Sequence, residues 1–285
     1  MTAYLRPAGL DEALRARREH PSYTVLAGGT DLLVASTRRP DPPGIIDLFG
    51  LASLSGIADD GAGGVSIGAA TTYAAIMASD IVARELPALA AAAREVGALQ
   101  IQARGTLGGN IATSSPVGDT LPVLLALDAA IELASAGRGA RRLAYESFLT
   151  GYRTTALAGD EIIVRVHFPP RPAGARQYWR KMGTRRAQSI SKVMVAGCAQ
   201  VVDGVLRHVR LGLGAVADRP LRARAAEAAL AGSPPGREAA GRARAALAGE
   251  LHPIDDVRST ASYRLAAAQN AVARFVESLA EPEPS

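Results

Sequence analysis

The chain has 285 residues, and 48% of them are hydrophobic but only 4% aromatic, so aliphatic side chains must fill its cores. This length predicts two or three lobes rather than one typical domain. The net charge of +5 comes almost wholly from arginines scattered among acidic residues. Because a nucleic-acid-binding protein is expected to have a clustered basic face, we expect no nucleic-acid binding.

Hydropathy patterning favours a cytoplasmic protein. No apolar run has the length of a membrane helix, so membrane insertion is not expected. The first residues have no basic start followed by an apolar core, so no signal peptide is expected either.

Cysteine and histidine usage argues against a metal site on this chain. Cys198 is the single cysteine, and one thiol cannot make a disulfide, a structural zinc site or an iron–sulfur site. The four histidines are widely spaced. Because Cys198 lies in the apolar run SKVMVAGCAQVV, a buried inert thiol is expected.

Residues 1–58 predict a small β-α-β lobe. Leu10–His20 has the pattern of a short amphipathic helix with acidic residues in its first turn. A strand then leads into Gly28-Gly29, a second helix is expected over Asp31–Arg38, and Ile45–Leu48 follows as a strand.

Residues 59–172 predict a second, larger lobe with a mixed or antiparallel sheet. A strand is expected through Ile67, followed by a helix from Thr71 or Thr72 and an alanine-rich helix over Leu86–Val96. Three further strands have alternating or β-branched patterns, namely Asp128–Ser135, Arg141–Tyr145 and Glu161–Phe168.

Residues 177–281 predict a C-terminal α+β domain after a Pro/Gly linker at Arg171–Arg176. Two strands, Val193–Val202 and Leu206–Ala215, flank Asp203-Gly204, a strong hairpin signal. Helices are expected over Leu221–Leu230, Arg237–Leu247 and Ser262–Leu279. The fold class is therefore α+β.

The first functional motif is YTVLAGGTDLL, residues Tyr23–Leu33. It predicts a short strand, a turn at Gly28-Gly29 and a helix begun by Thr30 and Asp31. Free N–H groups and the positive end of a helix dipole then point towards one place, which suits an anion.

The second motif is RGTLGGNIATSSPVGDTLP, residues Arg104–Pro122. Its glycines let the backbone approach a ligand, and its amide and hydroxyl side chains suit phosphate binding. Asp119 would repel a bare phosphate but can accept hydrogen bonds from a ribose. The alternative is a Gly/Ser-rich surface loop with Asp119 as a local cap; two glycine turns together favour a ligand with two phosphates.

These residues carry a family resemblance. LAGGTDLL followed by RGTLGGNIATSSPVGD resembles the paired FAD-binding motifs of the flavin subunit of molybdenum hydroxylases, which include xanthine dehydrogenases and the medium subunits of carbon monoxide dehydrogenases. The resemblance extends from YLRPAGLDEAL to LGLGAVADRPLRA. It implies a two-lobed FAD-binding domain followed by the C-terminal domain.

The resemblance implies a set of FAD-binding residues. The two glycine turns would hold the pyrophosphate, Asp119 the ribose, and Asn110, Thr113 and Ser115 would add hydrogen bonds. The full set is Leu26, Ala27, Gly28, Gly29, Thr30, Asp31, Leu32, Leu33, Thr106, Leu107, Gly108, Gly109, Asn110, Thr113, Ser115, Asp119, Ile163 and Lys181. No catalytic side chain is assigned.

Two members of this set have strong alternatives. By resemblance Ile163 would pack on the flavin ring, but the pattern alone favours an ordinary core strand residue. Lys181 would approach the ring edge, where a cation stabilises charge gained on reduction; otherwise it is a surface lysine in a basic turn. The lysine that usually follows the Tyr-Arg pair in the family is Thr154 here, so its contribution is absent.

The resemblance implies an FAD-binding electron-transfer subunit of an oxidoreductase. The molybdenum cofactor and [2Fe-2S] clusters would lie on a large and a small partner subunit, and electrons would leave to NAD or another acceptor. Non-covalent FAD is expected, because covalent oxidases usually place a histidine where Thr30 stands. The alternatives are a self-sufficient flavoenzyme of the same fold and a binding protein that has lost its cofactor.

Overall fold

A computed structural model describes residues 2–32, 34, 41–185 and 188–281. The first lobe is a parallel sheet with strand order β1-β3-β2, formed by β1 (Ala3–Leu5), β2 (Thr24–Leu26) and β3 (Gly44–Asp47). Helix α1 (Leu10–Glu19) packs on it through buried Ala13 and Leu14. The expected helix at Asp31–Arg38 falls largely outside the described residues, and so does Leu33.

The second lobe contains a five-stranded antiparallel sheet with strand order β4-β5-β10-β6-β7. Its strands are β4 (Ile57–Asp59), β5 (Val65–Gly68), β6 (Ala130–Ser135), β7 (Gly139–Ala144) and β10 (Ile162–Phe168), and β8 (Leu149–Gly151) with β9 (Thr154–Thr155) forms a separate hairpin. The lobe boundary expected after residue 58 falls inside β4. That strand pairs with β5, so it belongs to the second lobe.

Helices cover one face of this sheet, and the first lobe packs on the other. The helices are α2 (Tyr73–Met77), α3 (Asp80–Glu85), α4 (Pro87–Arg94), α5 (Leu99–Arg104), α6 (Leu107–Thr113), α7 (Leu121–Ala126) and α8 (Tyr145–Phe148). A single turn of 3-10 helix occupies Ala52–Leu54. Strand β10 is buried on both faces, since Ile163 and Val166 lie in the helix-covered core and Val164 in the core of the first lobe.

The C-terminal domain is an antiparallel sheet with strand order β11-β12-β13-β14 and three helices on one face. Its elements are β11 (Arg176–Met182), β12 (Val193–Val202), β13 (Val205–Gly214), β14 (Leu221–Arg222), α9 (Arg224–Leu230), α10 (Arg237–Glu250) and α11 (Ala261–Ser278). The predicted hairpin turn at Asp203-Gly204 is confirmed, with φ of 51° and 75°. These sheets and the helices packed on them confirm the α+β fold class.

Two strands of this domain were not predicted from the sequence. Polar residues dominate β11 (RQYWRKM), an edge strand that is half-buried rather than buried. The helix expected from Leu221 begins at Arg224, because Leu221 and Arg222 pair with β13 instead.

The second lobe packs on the other face of the C-terminal sheet. Ala196 and Cys198 of β12 lie in the core of the second lobe, whereas Val195 lies with the C-terminal helices. Gly212 of β13 allows the backbone of Pro122 in α7 to approach the strand. In addition, Lys181 of β11 contacts Asp119 of the second glycine motif.

Candidate cofactor site

The first glycine turn presents free hydrogen-bond donors. It follows β2 directly, and Gly29 has a φ of 76°, which glycine adopts without strain. The N–H groups of residues 28–31 hydrogen-bond to no other residue in the described part of the chain. Residues 27–30 are half-buried, so these donors are accessible to a ligand.

Gly28 joins the first turn to the second motif. A Cβ at this position would lie 1.8 Å from the carbonyl oxygen of Arg104 and 3.0 Å from the nitrogen of Gly105. The guanidinium of Arg104 lies 3.8 Å from the ring centroid of Phe49, which follows β3. The two glycine motifs are therefore in direct backbone contact.

The second glycine motif is a helix rather than the open loop suggested by its composition. Thr106 is the N-cap of α6, and its hydroxyl accepts a hydrogen bond of 3.1 Å from the Gly109 N–H. The N–H groups of Leu107 and Gly108 donate to the carbonyls of Thr71 and Ala69, and Asn110 donates to the Thr106 carbonyl.

The sequence also predicts that the turn at Thr106–Asn110 binds the pyrophosphate through its backbone N–H groups, but the N–H groups of residues 107–110 are not free. Those donors are already satisfied by the capping residue and by the segment between β5 and α2. Thr106 is 3% exposed, so its hydroxyl is not an open donor either. Gly108 is needed for packing, because a Cβ there would lie 2.6 Å from the Cβ of Ala69.

Side chains of α6 contact the first turn and Thr120, the residue after Asp119. The Thr113 hydroxyl donates a hydrogen bond of 3.4 Å to Oδ2 of Asp31. The Thr120 hydroxyl donates to Oδ1 of Asn110 at 2.8 Å. This bond uses the amide oxygen and not the amide N–H groups of Asn110. Ser115 is half-buried and accepts a hydrogen bond from the Val117 N–H at 3.4 Å.

Asp119 and Lys181 form a buried ion pair. Nζ of Lys181 lies 2.8 Å from Oδ2 of Asp119, and the two side chains are 5% and 11% exposed. Lys181 also donates to the Glu95 carbonyl at 3.1 Å, and the Ser191 hydroxyl donates to Oδ1 of Asp119 at 2.7 Å. Lys181 is thus not a surface residue; both oxygens of Asp119 have partners.

The environment of Asp119 contains opposing effects on its charge. Burial raises the pKa of Asp119, while the charge of Lys181 and the hydrogen bonds from Lys181 and Ser191 lower it. A ribose would have to share or replace these two donors. The ribose role of Asp119 and the flavin role of Lys181 stay predictions. Because the two side chains pair directly, they would face one part of the cofactor rather than two.

Ile163 lies in the interior of the second lobe. Its side chain is 6% exposed and belongs to the core beneath the helices, on strand β10 against which α6 packs. This position is that of a core strand residue, and a contact with a flavin ring stays a prediction.

The arrangement fits the FAD implied by the sequence resemblance. The unbonded N–H donors at residues 28–31, of which 28–30 are half-buried, suit a pyrophosphate. Gly28 brings this turn into contact with the backbone of the second motif. In that motif Asn110 is bonded to Thr120, the residue after Asp119, and Asp119 is paired with Lys181. FAD therefore has donors for its phosphates and polar groups beyond them.

Sequence reasoning missed three contributors to this site. Ser191 and the Glu95 carbonyl lie more than 60 residues from their partners, Asp119 and Lys181 respectively. The Arg104 carbonyl contacts Gly28 across the lobes. No local signal marks these residues, although the rarity of lysine did mark Lys181.

The described part of the chain contains no helix long and apolar enough to span a membrane. It also contains no group of three or more histidine, cysteine or acidic side chains placed to hold a metal ion. His167 forms a 2.6 Å contact with Glu132 and lies outside the candidate site.

Comparison with known proteins gives a consistent family assignment. Residues 1–171 match the FAD binding domain in molybdopterin dehydrogenase, and residues 177–279 match the CO dehydrogenase flavoprotein C-terminal domain. The chain is 35% identical over 236 residues to the xanthine dehydrogenase FAD-binding subunit of Escherichia coli O157:H7, covering 81% of this chain and 80% of that one.

Two further relatives extend the similarity over nearly the whole chain. The nicotine 6-hydroxylase medium subunit of Paenarthrobacter nicotinovorans is 33% identical, over 96% of this chain and 95% of that one. A chain of carbon monoxide dehydrogenase from Hydrogenophaga pseudoflava superposes with a TM-score of 0.91 at 32% identity, covering 96% and 95% of the two chains. The chain therefore belongs to the family of FAD-binding medium subunits of molybdenum hydroxylases, and its class is oxidoreductase.

Proposed function

We propose that this chain is the electron-transfer subunit of its complex: electrons arrive from iron–sulfur clusters of a partner and leave to NAD or another acceptor. One observation carries the proposal. The two glycine motifs contact each other, and the second of them contains Asp119, which pairs with Lys181. When bound, FAD supplies the redox chemistry that no side chain of this site can carry.

Each part of the site has a distinct task in this proposal. The N–H groups of residues 28–31 bind the pyrophosphate, and the Asn110 amide and the Thr113 and Ser115 hydroxyls orient the cofactor. The Lys181 ammonium places a fixed positive charge near the ring, and Asp119 keeps that ammonium in position. FAD is held without a covalent bond, since Thr30 stands where a linking histidine would.

The partners proposed are a small subunit with [2Fe-2S] clusters and a large subunit with the molybdenum cofactor. The cysteine content of this chain supports this proposal. Cys198 is the single cysteine, and an iron–sulfur cluster requires several thiolates, so the clusters must lie on another chain. Burial raises the pKa of the Cys198 thiol to about 11, so it is protonated near neutral pH. The cytoplasmic location expected from the sequence remains a prediction.

Affinity purification from the native host tests this proposal. A tag on this chain should bring down one smaller, cysteine-rich partner and one much larger partner. The isolated chain with FAD should transfer electrons from reduced nicotinamide to an artificial dye at best, and should not oxidise purines, aldehydes or N-heterocycles. Gly28→Ala, whose Cβ would collide with the Arg104 carbonyl and push the two glycine motifs apart, serves as the control with weakened FAD binding.

Turnover of an organic substrate by the isolated chain with FAD alone would contradict the proposal. That result would favour the alternative, a self-sufficient flavoenzyme of the same fold. A folded protein that neither contains nor takes up FAD would contradict both.

A further inference from the structure

Ser191 contacts the candidate site from the C-terminal domain. Ser191 is almost completely buried, and its hydroxyl donates a 2.7 Å hydrogen bond to Oδ1 of Asp119. Ser191 precedes β12, whereas Asp119 follows α6 in the second lobe. The hydrogen bond therefore crosses between domains.

The other oxygen of Asp119 is held from the same domain. Nζ of Lys181, on β11, lies 2.8 Å from Oδ2 and 3.1 Å from the Glu95 carbonyl. Two donors on different elements thus fix both oxygens of one carboxylate, which leaves the carboxylate little freedom to rotate. If the Ser191 hydroxyl were removed, only Lys181 would determine its orientation.

Within the described part of the chain, Lys181 and Tyr73 are titratable groups that interact with Asp119. Lys181 faces it from β11. Tyr73 faces it from α2; burial and the Asp119 charge raise the pKa of this fully buried phenol, so it stays neutral. Burial raises the pKa of Asp119, and the Ser191 hydrogen bond is one of the interactions that oppose this rise.

We propose that Ser191 is a positioning residue of the cofactor site, whose hydroxyl holds Asp119 in the orientation that pairs with Lys181. This inference rests on the proposed function, because it assigns the pair to FAD. It also gives the C-terminal domain a direct part in the site, through a residue that has no place in either glycine motif.

The test compares Ser191→Ala and Ser191→Thr with Ser189→Ala in the full-length apoprotein. Ser189 lies two residues away, and its hydroxyl donates to the Arg185 carbonyl rather than to Asp119, so its loss is a matched control. FAD affinity is measured by fluorescence titration between pH 4.5 and 8, and the reduction potential of the bound flavin is measured at pH 7. Circular dichroism of the apoproteins checks that each variant is folded.

Ser191→Ala should weaken FAD binding about tenfold at neutral pH, the effect of losing one hydrogen bond to a charged group. The Ser191 hydrogen bond lowers the pKa of Asp119. Its loss should therefore raise the pH below which FAD affinity declines (the acid limb) by about half a unit or more. The reduction potential should also shift, since the ammonium beside the carboxylate is less well held. Ser191→Thr keeps a hydroxyl and should restore the wild-type pH profile, and Ser189→Ala should match the wild type.

An unchanged acid limb in Ser191→Ala would overturn the inference. So would a loss of affinity that is equal at every pH and not restored by threonine, because a merely structural role predicts that result. Failure of the wild-type protein to bind FAD would instead overturn the proposed function and this inference with it, so the two failures are distinguishable.

Discussion

At the scale of single residues, the absence of one side chain decides whether the two motifs meet. Gly28 lies against the backbone of Arg104 and Gly105, where a Cβ would overlap the Arg104 carbonyl oxygen at 1.8 Å. Backbone cannot move aside as the end of a flexible side chain can. The glycine is therefore required by a contact between lobes, not only by the conformation of a turn.

Gly28→Ala should weaken FAD binding by about tenfold or more. The added Cβ overpacks the contact, at a cost of about 1–3 kcal/mol, and pushes the two motifs apart. The free energy of unfolding should fall as well. FAD titration and chemical denaturation measure the two effects. Gly159→Ala, whose Cβ meets nothing within 4 Å, should change neither; equal behaviour of the two variants would refute the proposed contact.

At the scale of elements, a buried carboxylate ties β10 to the β6–β7 hairpin. Glu161 directly precedes β10 and is 3% exposed. It accepts hydrogen bonds from Nε and Nη2 of Arg141 at 2.6 and 2.8 Å, and from the Ala158 N–H at 2.8 Å. The hydrogen bond from Arg141 is the main cause that lowers the pKa of Glu161 below its ordinary value of 4.5, against the effect of burial.

A carboxylate with a lowered pKa in the folded state stabilises the fold above its unfolded pKa. That stabilisation should be present at neutral pH and lost as pH falls below about 4.5 through the folded pKa. Glu161→Gln should lower the free energy of unfolding at pH 7 by about 1 kcal/mol and should flatten its decline in acid.

Denaturant unfolding at several pH values measures this effect. The control is Glu238→Gln, because Glu238 is 94% exposed and its 2.9 Å pair with Arg242 lies within one turn of α10. Its removal should leave the pH dependence unchanged. A Glu161→Gln variant with the wild-type slope in acid would show that this pair does not stabilise the fold.

At the scale of the whole molecule, the C-terminal domain is joined to the second lobe by close backbone packing and a network of charges. Gly212 admits the carbonyl of Pro122, which would lie 2.0 Å from a Cβ at that position. Asp128 of the second lobe pairs with Arg222 and, at 2.8 Å, with Arg210. Arg222 also binds Glu227 at 2.7 Å, so the network continues into α9.

Gly212→Ala should lower the free energy of unfolding by about 1–3 kcal/mol, the cost of forcing atoms into a packed interface. Gly241→Ala, in the interior of α10 with nothing within 4 Å of its Cβ, should instead stabilise the protein by about 0.5–1 kcal/mol. Chemical denaturation measures both changes. A Gly212→Ala variant as stable as the wild type would mean that α7 and β13 can separate freely.

The sequence by itself determined the features that depend on neighbours along the chain. The turn at Asp203-Gly204 needs left-handed backbone and alternating strands on either side, and both are local properties. The same holds for the first glycine turn and for α1, which begins at Leu10 as predicted. The two glycine motifs together also identified the family before any contact was known.

Only the tertiary structure decided which residues of the site bond to one another. Asp119 is paired with Lys181 and Ser191, which lie 62 and 72 positions further along the chain. The donors of the second glycine motif are satisfied by Thr106 and by the segment before α2, which its composition could not reveal. The physical reason is the same in each case: burial removes water as a partner, so the partner of each polar group is set by whichever distant element the fold places beside it.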